Sequence, residues 1–412
     1  MSDTATACAE ALAQPDTTTP DPVGEVRALR DALAARFVER TVEAHLLVLC
    51  LVAQTHLTLV GEPGNAKSLI VRDFANAITD ARYFETQVAA DSPAQRVLGP
   101  YSIPALDEGR FEFNVEGMLP EANIALLDEG YRANATFLDN LLAILNERIF
   151  HNGRTVLRVP LWMAVIACNQ LPDPADERTE AFRDRIAVTR HVQPVRSEPA
   201  RLAVLTGQLD RRRGTNHHTA VPTVATDTVR ELQRRVADID TPAEFLEQAL
   251  RLWSLAEAEG LAVSARRFGE IIKLAQAQAV LSGRTSCRPS DLVVAEHVLW
   301  IDPDDAPLAT EIASAFEDRT GRRIRDIGSA CIDIEARSEA LIRQIRQTDV
   351  FDDLPSDLVT EGVNLCRSAK ELVDRIRAID NDGDGDQTLT DSLDRITATS
   401  RKVEAALMGA TT

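Results

Sequence analysis

The stretch Leu57-Thr58-Leu59-Val60-Gly61-Glu62-Pro63-Gly64-Asn65-Ala66-Lys67-Ser68 decides the fold. Four residues of strand character break into a glycine-bearing loop, and helical periodicity resumes near Lys67. Glycines let the backbone curl so that successive N–H groups face inward, and the start of a helix adds the positive end of its dipole. Phosphate oxygens fit such a nest. Gly61, Glu62, Pro63, Gly64, Asn65 and Ala66 would form the cradle. Lys67 would reach the β- and γ-phosphates of a nucleoside triphosphate, and the Ser68 hydroxyl would hold a Mg²⁺ on the same phosphates. The strict pattern has glycine directly before the lysine. This chain has Ala66, which is small and accepts helical dihedrals, so the helix is expected to start there.

Two further apolar runs end in residues suited to the same chemistry. Ile124-Ala125-Leu126-Leu127 reads as a buried strand delivering Asp128 and Glu129 at its C-terminal end, the edge where ligands bind in open α/β sheets. Asp128 would hold the Mg²⁺ through water, and Glu129 would orient and polarise the attacking water; helix capping by an acidic turn is the competing reading. Met163-Ala164-Val165-Ile166-Ala167-Cys168 is a third strand, ending in Asn169, whose amide would reach the γ-phosphate or the lytic water. An asparagine at a strand end also serves plain turn chemistry.

These segments, with Asp128-Glu129-Gly130-Tyr131-Arg132-Ala133, Leu141-Leu142-Ala143-Ile144-Leu145-Asn146-Glu147-Arg148-Ile149-Phe150-His151-Asn152-Gly153 and Val263-Ser264-Ala265-Arg266-Arg267-Phe268, resemble the MoxR family of AAA+ ATPases, particularly its RavA-like branch. Leu98-Gly99-Pro100-Tyr101-Ser102-Ile103 and Gly117-Met118-Leu119-Pro120-Glu121-Ala122 add to the match, which runs from about residue 25 to about 301. The resemblance implies an ATP-hydrolysing homo-oligomer, a hexameric ring, with chaperone-like action on a protein client and a von Willebrand factor A-domain partner. It also implies roles for single residues. Asn169 matches the sensor-1 position, Arg266 the sensor-2 position with Arg267 as its rival, and Arg185 the arginine finger with Arg178 and Arg183 as rivals. A finger needs the fixed, always-charged guanidinium that lysine lacks. Residues 101–115 are similar to the β-hairpin inserted in helix 2 of this clade, with Asp107-Glu108-Gly109 as its turn and the hexamer's central surface as its place.

Composition bounds the remainder. The chain has 412 residues and a formal charge of −19, which argues against nucleic acid as a general partner because the phosphate backbone is normally met by a basic patch. The longest apolar run, Leu46-Leu47-Val48-Leu49-Cys50-Leu51-Val52-Ala53, is too short to span a bilayer, and no signal-peptide pattern opens the chain. The six cysteines are scattered, as reduced packing residues of a cytoplasmic protein would be. The expected organisation is a disordered leader over residues 1–24 and a large α/β AAA+ subdomain over 25–195, with a parallel sheet covered by helices on both faces. A linker over 196–225 follows, carrying Arg211-Arg212-Arg213 and His217-His218, then an all-α lid over 226–301 and a helical C-terminal extension over 302–412. Nucleotide is expected in the cleft between the large subdomain and the lid.

In the extension, Asp380, Asp382, Asp384, Asp386 and Asp391, with Gly385 and Thr388 between them, fit the spacing of a calcium-binding loop. Gln387 and Asp391 depart from that pattern, and a solvated acidic turn between helices is the competing reading. For the whole chain the competing class is a nucleic-acid-linked motor or a defence-system ATPase, since fold alone does not decide function.

Overall fold

The computed structural model describes residues 21–173, 176–195, 201–202, 204–207, 209, 220–316, 319–347, 355–380 and 387–409. The leader up to residue 20, the arginine triplet and histidine pair of the linker, and Asp382, Asp384 and Asp386 of the acidic loop lie outside them.

The chain opens with α1 (Pro22–Arg36), started by Asp21, whose side chain accepts from the Val23 N–H. Helix α2 (Thr41–Ala53) follows and is buried on nearly every side, which accounts for its unbroken apolar sequence. Next come β1 (Leu57–Val60), α3 (Lys67–Asn76), β2 (Ile78–Thr79) and β3 (Tyr83–Gln87), then the short helices α4 (Gln95–Leu98) and α5 (Ile103–Asp107). The large subdomain is completed by β4 (Ile124–Asp128), α6 (Ala135–Glu147), β5 (Ile149–Asn152), β6 (Thr155–Arg158), β7 (Met163–Cys168), α7 (Glu177–Arg185) and β8 (Val188–His191). Five strands form one parallel sheet in the order β3-β4-β7-β1-β8. With β1 held between β7 and β8, the phosphate-binding loop leaves from inside the sheet, level with the ends of β4 and β7. Strands β1 and β7 are buried at every residue, as strands covered on both faces must be.

One segment differs from the expectation. Residues 101–113 form no regular hairpin: Ser102 caps α5, and the return limb meets the outgoing one at a single antiparallel bridge between Tyr101 and Phe113. Pro104 at the first turn and the Ser102 hydroxyl favour the helical start over an extended limb. The Asn152 amide then ties this loop to the β5-β6 hairpin, with Oδ1 accepting from the Phe113 N–H at 2.6 Å and Nδ2 donating to the Phe113 carbonyl at 2.9 Å.

Beyond β9 (Val224–Ala225), which pairs with β2, lie α8 (Thr226–Asp238), α9 (Ala243–Ala258), α10 (Ala265–Leu281) and a 3-10 segment Pro289–His297. Helices α8 and α10 bury their apolar stripes in the same core as α1 and α2. Helix α11 (Ala306–Ser314) also joins it, since Ala309, Ile312, Ala313 and Phe316 are part of that core; the helical lid therefore packs on past the Asp302-Pro303 break. A second core lies between the other sheet face and α6, closed by Phe182 of α7. Helices α12 (Arg319–Gln347), α13 (Ser356–Asp380) and α14 (Gln387–Gly409) form a bundle with its own core of Ile327, Leu341, Leu365, Leu372 and Ile396. Asp380 ends α13, and Asp391 lies within α14. Among the described residues no helix is long and apolar enough to cross a membrane.

Candidate nucleotide site

One edge of the sheet gathers the predicted residues around a cavity of about 520 Å³. Its lining includes Pro63, Gly64, Asn65, Ala66, Lys67 and Ser68 from the loop, Asp128 and Glu129 after β4, and Asn169 after β7. Gly61 is required by close approach, because a Cβ there would stand 2.5 Å from the Val192 carbonyl. Gly64 is left-handed at φ +88° and leaves open space on its Cβ side, where an anion approaches the backbone. Ala66 corrects the expectation: it is left-handed, at φ 60° and ψ 18°, so α3 starts at Lys67 and Ala66 occupies a conformation that glycine takes freely. A non-glycine residue there costs about 1 kcal/mol.

Lys67 Nζ donates to the carbonyls of Gly61 at 2.6 Å and Glu62 at 3.0 Å, and to Asn169 Oδ1 at 3.3 Å. Burial lowers its pKa, opposed by the carboxylates of Asp128 and Glu129. The Ser68 hydroxyl donates to Asp128 Oδ2 at 3.1 Å, so the two predicted Mg²⁺ ligands already face each other. A hydroxyl and a carboxylate beside a phosphate nest are a fitting oxygen donor set for Mg²⁺. Glu129 is left-handed at φ 57°; its N–H donates to the Ala167 carbonyl at 2.6 Å and its carboxylate pairs with Arg132 at 3.2 Å. Adjacent turns of the sheet thus hold Lys67, Ser68, Asp128, Glu129 and Asn169 within one site.

The cavity also has walls that sequence reasoning missed. Arg36, Phe37, Val38 and Arg40 line it from the α1-α2 junction, Gln87 from β3, and Val195, Val204 and Gly207 from the segment beyond β8. Phe37, Val38 and Val204 add apolar side chains to a lining otherwise rich in polar and charged groups. Apolar residues at a helix junction carry no signal of their own, and only the closure of the fold brings them here. No residue of 226–301 contributes, so the cavity is not a cleft between the large subdomain and the lid; the apolar stripes of α8 and α10 hold the lid on α2 instead.

The arginines lie elsewhere. Neither Arg185 nor Arg266 lines the cavity. Arg266 pairs with Asp184 at 2.5 Å, and Ser264 donates to the same carboxylate. Arg185, next in sequence, is half-buried, with one guanidinium N–H on the Ala181 carbonyl and no partner for Nε. Arg178 pairs with Asp176 at the start of α7. Arg183 is 5% exposed, inside the molecule. Arg267 is 2% exposed and donates to the carbonyls of Val298, Ala187 and Trp300, a brace that fixes the lid to β8. Burial lowers its pKa to about 10. Among the described residues no three His, Cys, Asp or Glu side chains cluster as a metal site.

A phosphate loop on an inner strand of a five-stranded parallel sheet, an asparagine at the end of the neighbouring β7, carboxylates at the end of β4 beyond it and a helical lid define an AAA+ ATPase fold. Comparison with known proteins narrows this. Residues 24–234 match the profile of the MoxR domain in the MoxR-vWA-beta-propeller ternary systems, and residues 246–313 match an AAA lid domain. The chain belongs to the MoxR family of AAA+ ATPases. Two uncharacterized proteins of Methanocaldococcus jannaschii are similar to it. One is 32% identical over 278 residues, 67% of this chain and 72% of the relative; the other is 29% identical over 299 residues, 72% and 76%. The crystal structure of a candidate ATPase from Cytophaga hutchinsonii shares the fold, with a TM-score of 0.56 at 19% identity over 72% of this chain and 94% of that one.

Proposed function

We propose that the chain is the Mg²⁺-dependent ATP-hydrolysing subunit of a homo-oligomeric ring, a hexamer by family resemblance, that remodels or assembles a protein client. The observation that carries this reading is the meeting of Lys67, Ser68, Asp128, Glu129 and Asn169 at one cavity while Arg185 and Arg266 stay outside it. ATP enters with its base against Phe37, Val38 and Val204 and its phosphates in the loop, where Lys67 exchanges its carbonyl partners for phosphate oxygens. Ser68 and Asp128 would hold Mg²⁺, which would supply charge neutralisation at the phosphates. Glu129 orients the attacking water and draws on its proton, and Asn169 fixes the water or the γ-phosphate. Arg185 comes from the neighbouring subunit, and the tie of Arg266 to Asp184 favours delivery of both arginines together, in place of a sensor-2 contact within one chain. Hydrolysis then requires assembly.

The matched profile is named for systems that include a vWA protein and a β-propeller protein, and these are the partner classes we assign to this chain. The net charge of −19 favours protein over nucleic acid as the client, and we assign the chain to the cytoplasm. Glu129→Gln should bind ATP yet lose at least 10²-fold in turnover. Used as a trap in affinity capture, it should retain the client and a vWA protein in an ATP-dependent manner. Salt-sensitive stimulation of the wild-type ATPase by DNA, with no protein retained, would support the nucleic-acid reading instead.

A further inference from the structure

Arg40 lies where α1 turns into α2, far in sequence from the phosphate loop, yet it is only 4% exposed and lines the nucleotide cavity. Its Nε donates to the Asn65 carbonyl at 3.3 Å, and a second guanidinium N–H donates to the Glu39 carbonyl at 2.9 Å. Asn65 is held from the opposite side as well, because its own amide donates to the Val192 carbonyl at 3.3 Å. The residue pinned at both ends is the one directly before Ala66, the left-handed position that replaces the usual glycine.

That coincidence has a physical reading. A glycine at position 66 would visit the left-handed region without penalty, so a loop carrying it needs no outside support to keep the nest open. An alanine there prefers to leave that region, which would turn the neighbouring peptide and reduce the fraction of molecules whose N–H groups are aimed at phosphate. Fixing the carbonyl of the preceding residue opposes this rotation. A guanidinium does so well, since its planar fork spans two carbonyls from one buried side chain. Glu43, one turn into α2, Glu39, the residue before Arg40, and Arg190, the ion-pair partner of Glu43 on β8, are the charged groups whose fields act on Arg40.

We infer that Arg40 is a positioning residue that clamps the Asn65 carbonyl and so holds the phosphate loop in its binding shape despite Ala66. The inference rests on the reading of this cavity as an ATP site. It makes Arg40 and Ala66 interdependent: the clamp matters because glycine is missing, and restoring glycine removes the need for it.

The test is a double-mutant cycle on the full chain, with the dissociation constant of a fluorescent ATP analogue as readout and the unfolding temperature as a check on folding. Arg40→Ala should weaken binding about tenfold when residue 66 is alanine and no more than about twofold in the Ala66→Gly background. Arg40→Lys keeps length and charge but loses the fork, and should fall between wild type and Arg40→Ala in the first background alone; it carries the same comparison if Arg40→Ala does not fold. An equal loss in both backgrounds would overturn the clamp and assign Arg40 a direct contact with nucleotide. No loss in either would overturn any role at this loop. Failure of the wild type to bind ATP would remove the reading of the cavity itself, an outcome visible before any variant is made.

Discussion

At the scale of single residues, much of the site was legible because its chemistry is concentrated in short runs. A strand that ends in Asp128-Glu129 and one that ends in Asn169 announce where their side chains go, since strands of a parallel sheet end together at one edge. The handedness of Ala66 was not legible, because alanine's own preference points the other way and the tertiary setting overrules it. Phe37 and Val38 were invisible for a related reason: an apolar pair near a helix end looks the same whether it faces core or cavity. Some residues that carried the family resemblance are architectural. Arg148, left-handed at the end of α6, donates to the carbonyls of Leu145, Gln54 and Trp162 and lies against His56. His56 accepts the Ala164 N–H at Nδ1, and burial, reinforced by the Arg148 charge, pushes its pKa from 6.5 down to about 3. A folded pKa below the unfolded one means that the fold favours the neutral ring. Its contribution to stability is full above pH 6.5 and is lost as pH falls toward 3. Thermal unfolding between pH 7 and pH 4 should therefore show a falling midpoint, and His56→Asn should have a lower midpoint at pH 7 with a shallower pH slope. An unchanged slope would mean that other groups set the acid sensitivity.

At the scale of elements, the sheet and its helices followed from periodicity, while the placement of the lid did not. Amphipathic stripes show that α8 and α10 must be covered, but not that α2 is the covering surface. The loop over residues 101–113 is the clearest case of local sequence reshaping an expected element, through Ser102 and Pro104. It exposes Ile103 at 73% and Phe111 at 72%, an unusual degree for large apolar residues on one short segment. Under the proposed function these residues meet the client. Phe111→Ala should leave the free energy of unfolding within about 0.5 kcal/mol of wild type, as exposed positions do, while reducing stimulation of ATPase activity by client several-fold. Asn152→Ala, which unhooks the loop from the β5-β6 hairpin, should reduce that stimulation with Phe111 intact. Full stimulation in both variants would place the client elsewhere.

At the scale of the whole molecule, the C-terminal bundle is a body with its own core, docked on the ATPase through α1. Arg395 of α14 makes that joint, pairing with Glu335 of α12 and, at 2.5 Å, with Asp31 of α1. Five residues further along α1, Arg36 pairs with Asp73 on the helix that follows the phosphate loop, so a single helix links bundle and nucleotide site. Removing Arg395 strands two carboxylates and should cost on the order of 1 to 3 kcal/mol. Calorimetry should show the bundle transition moving down while the ATPase transition stays in place; one transition moving as a unit would mean that the two bodies fold together.

Under the proposed function, each working ATPase site is shared between two subunits. Arg185→Ala subunits would then keep a complete pocket and lack the finger, whereas Glu129→Gln subunits would keep the finger and have an inert pocket. Each variant alone should hydrolyse ATP at least 10²-fold more slowly than wild type. Steady-state hydrolysis by the two mixed in equal amounts is the most direct measurement. Activity should appear on mixing, to a sizeable fraction of the wild-type rate, because an intact pocket then meets an intact arginine. A mixture no more active than its components would contradict the shared site.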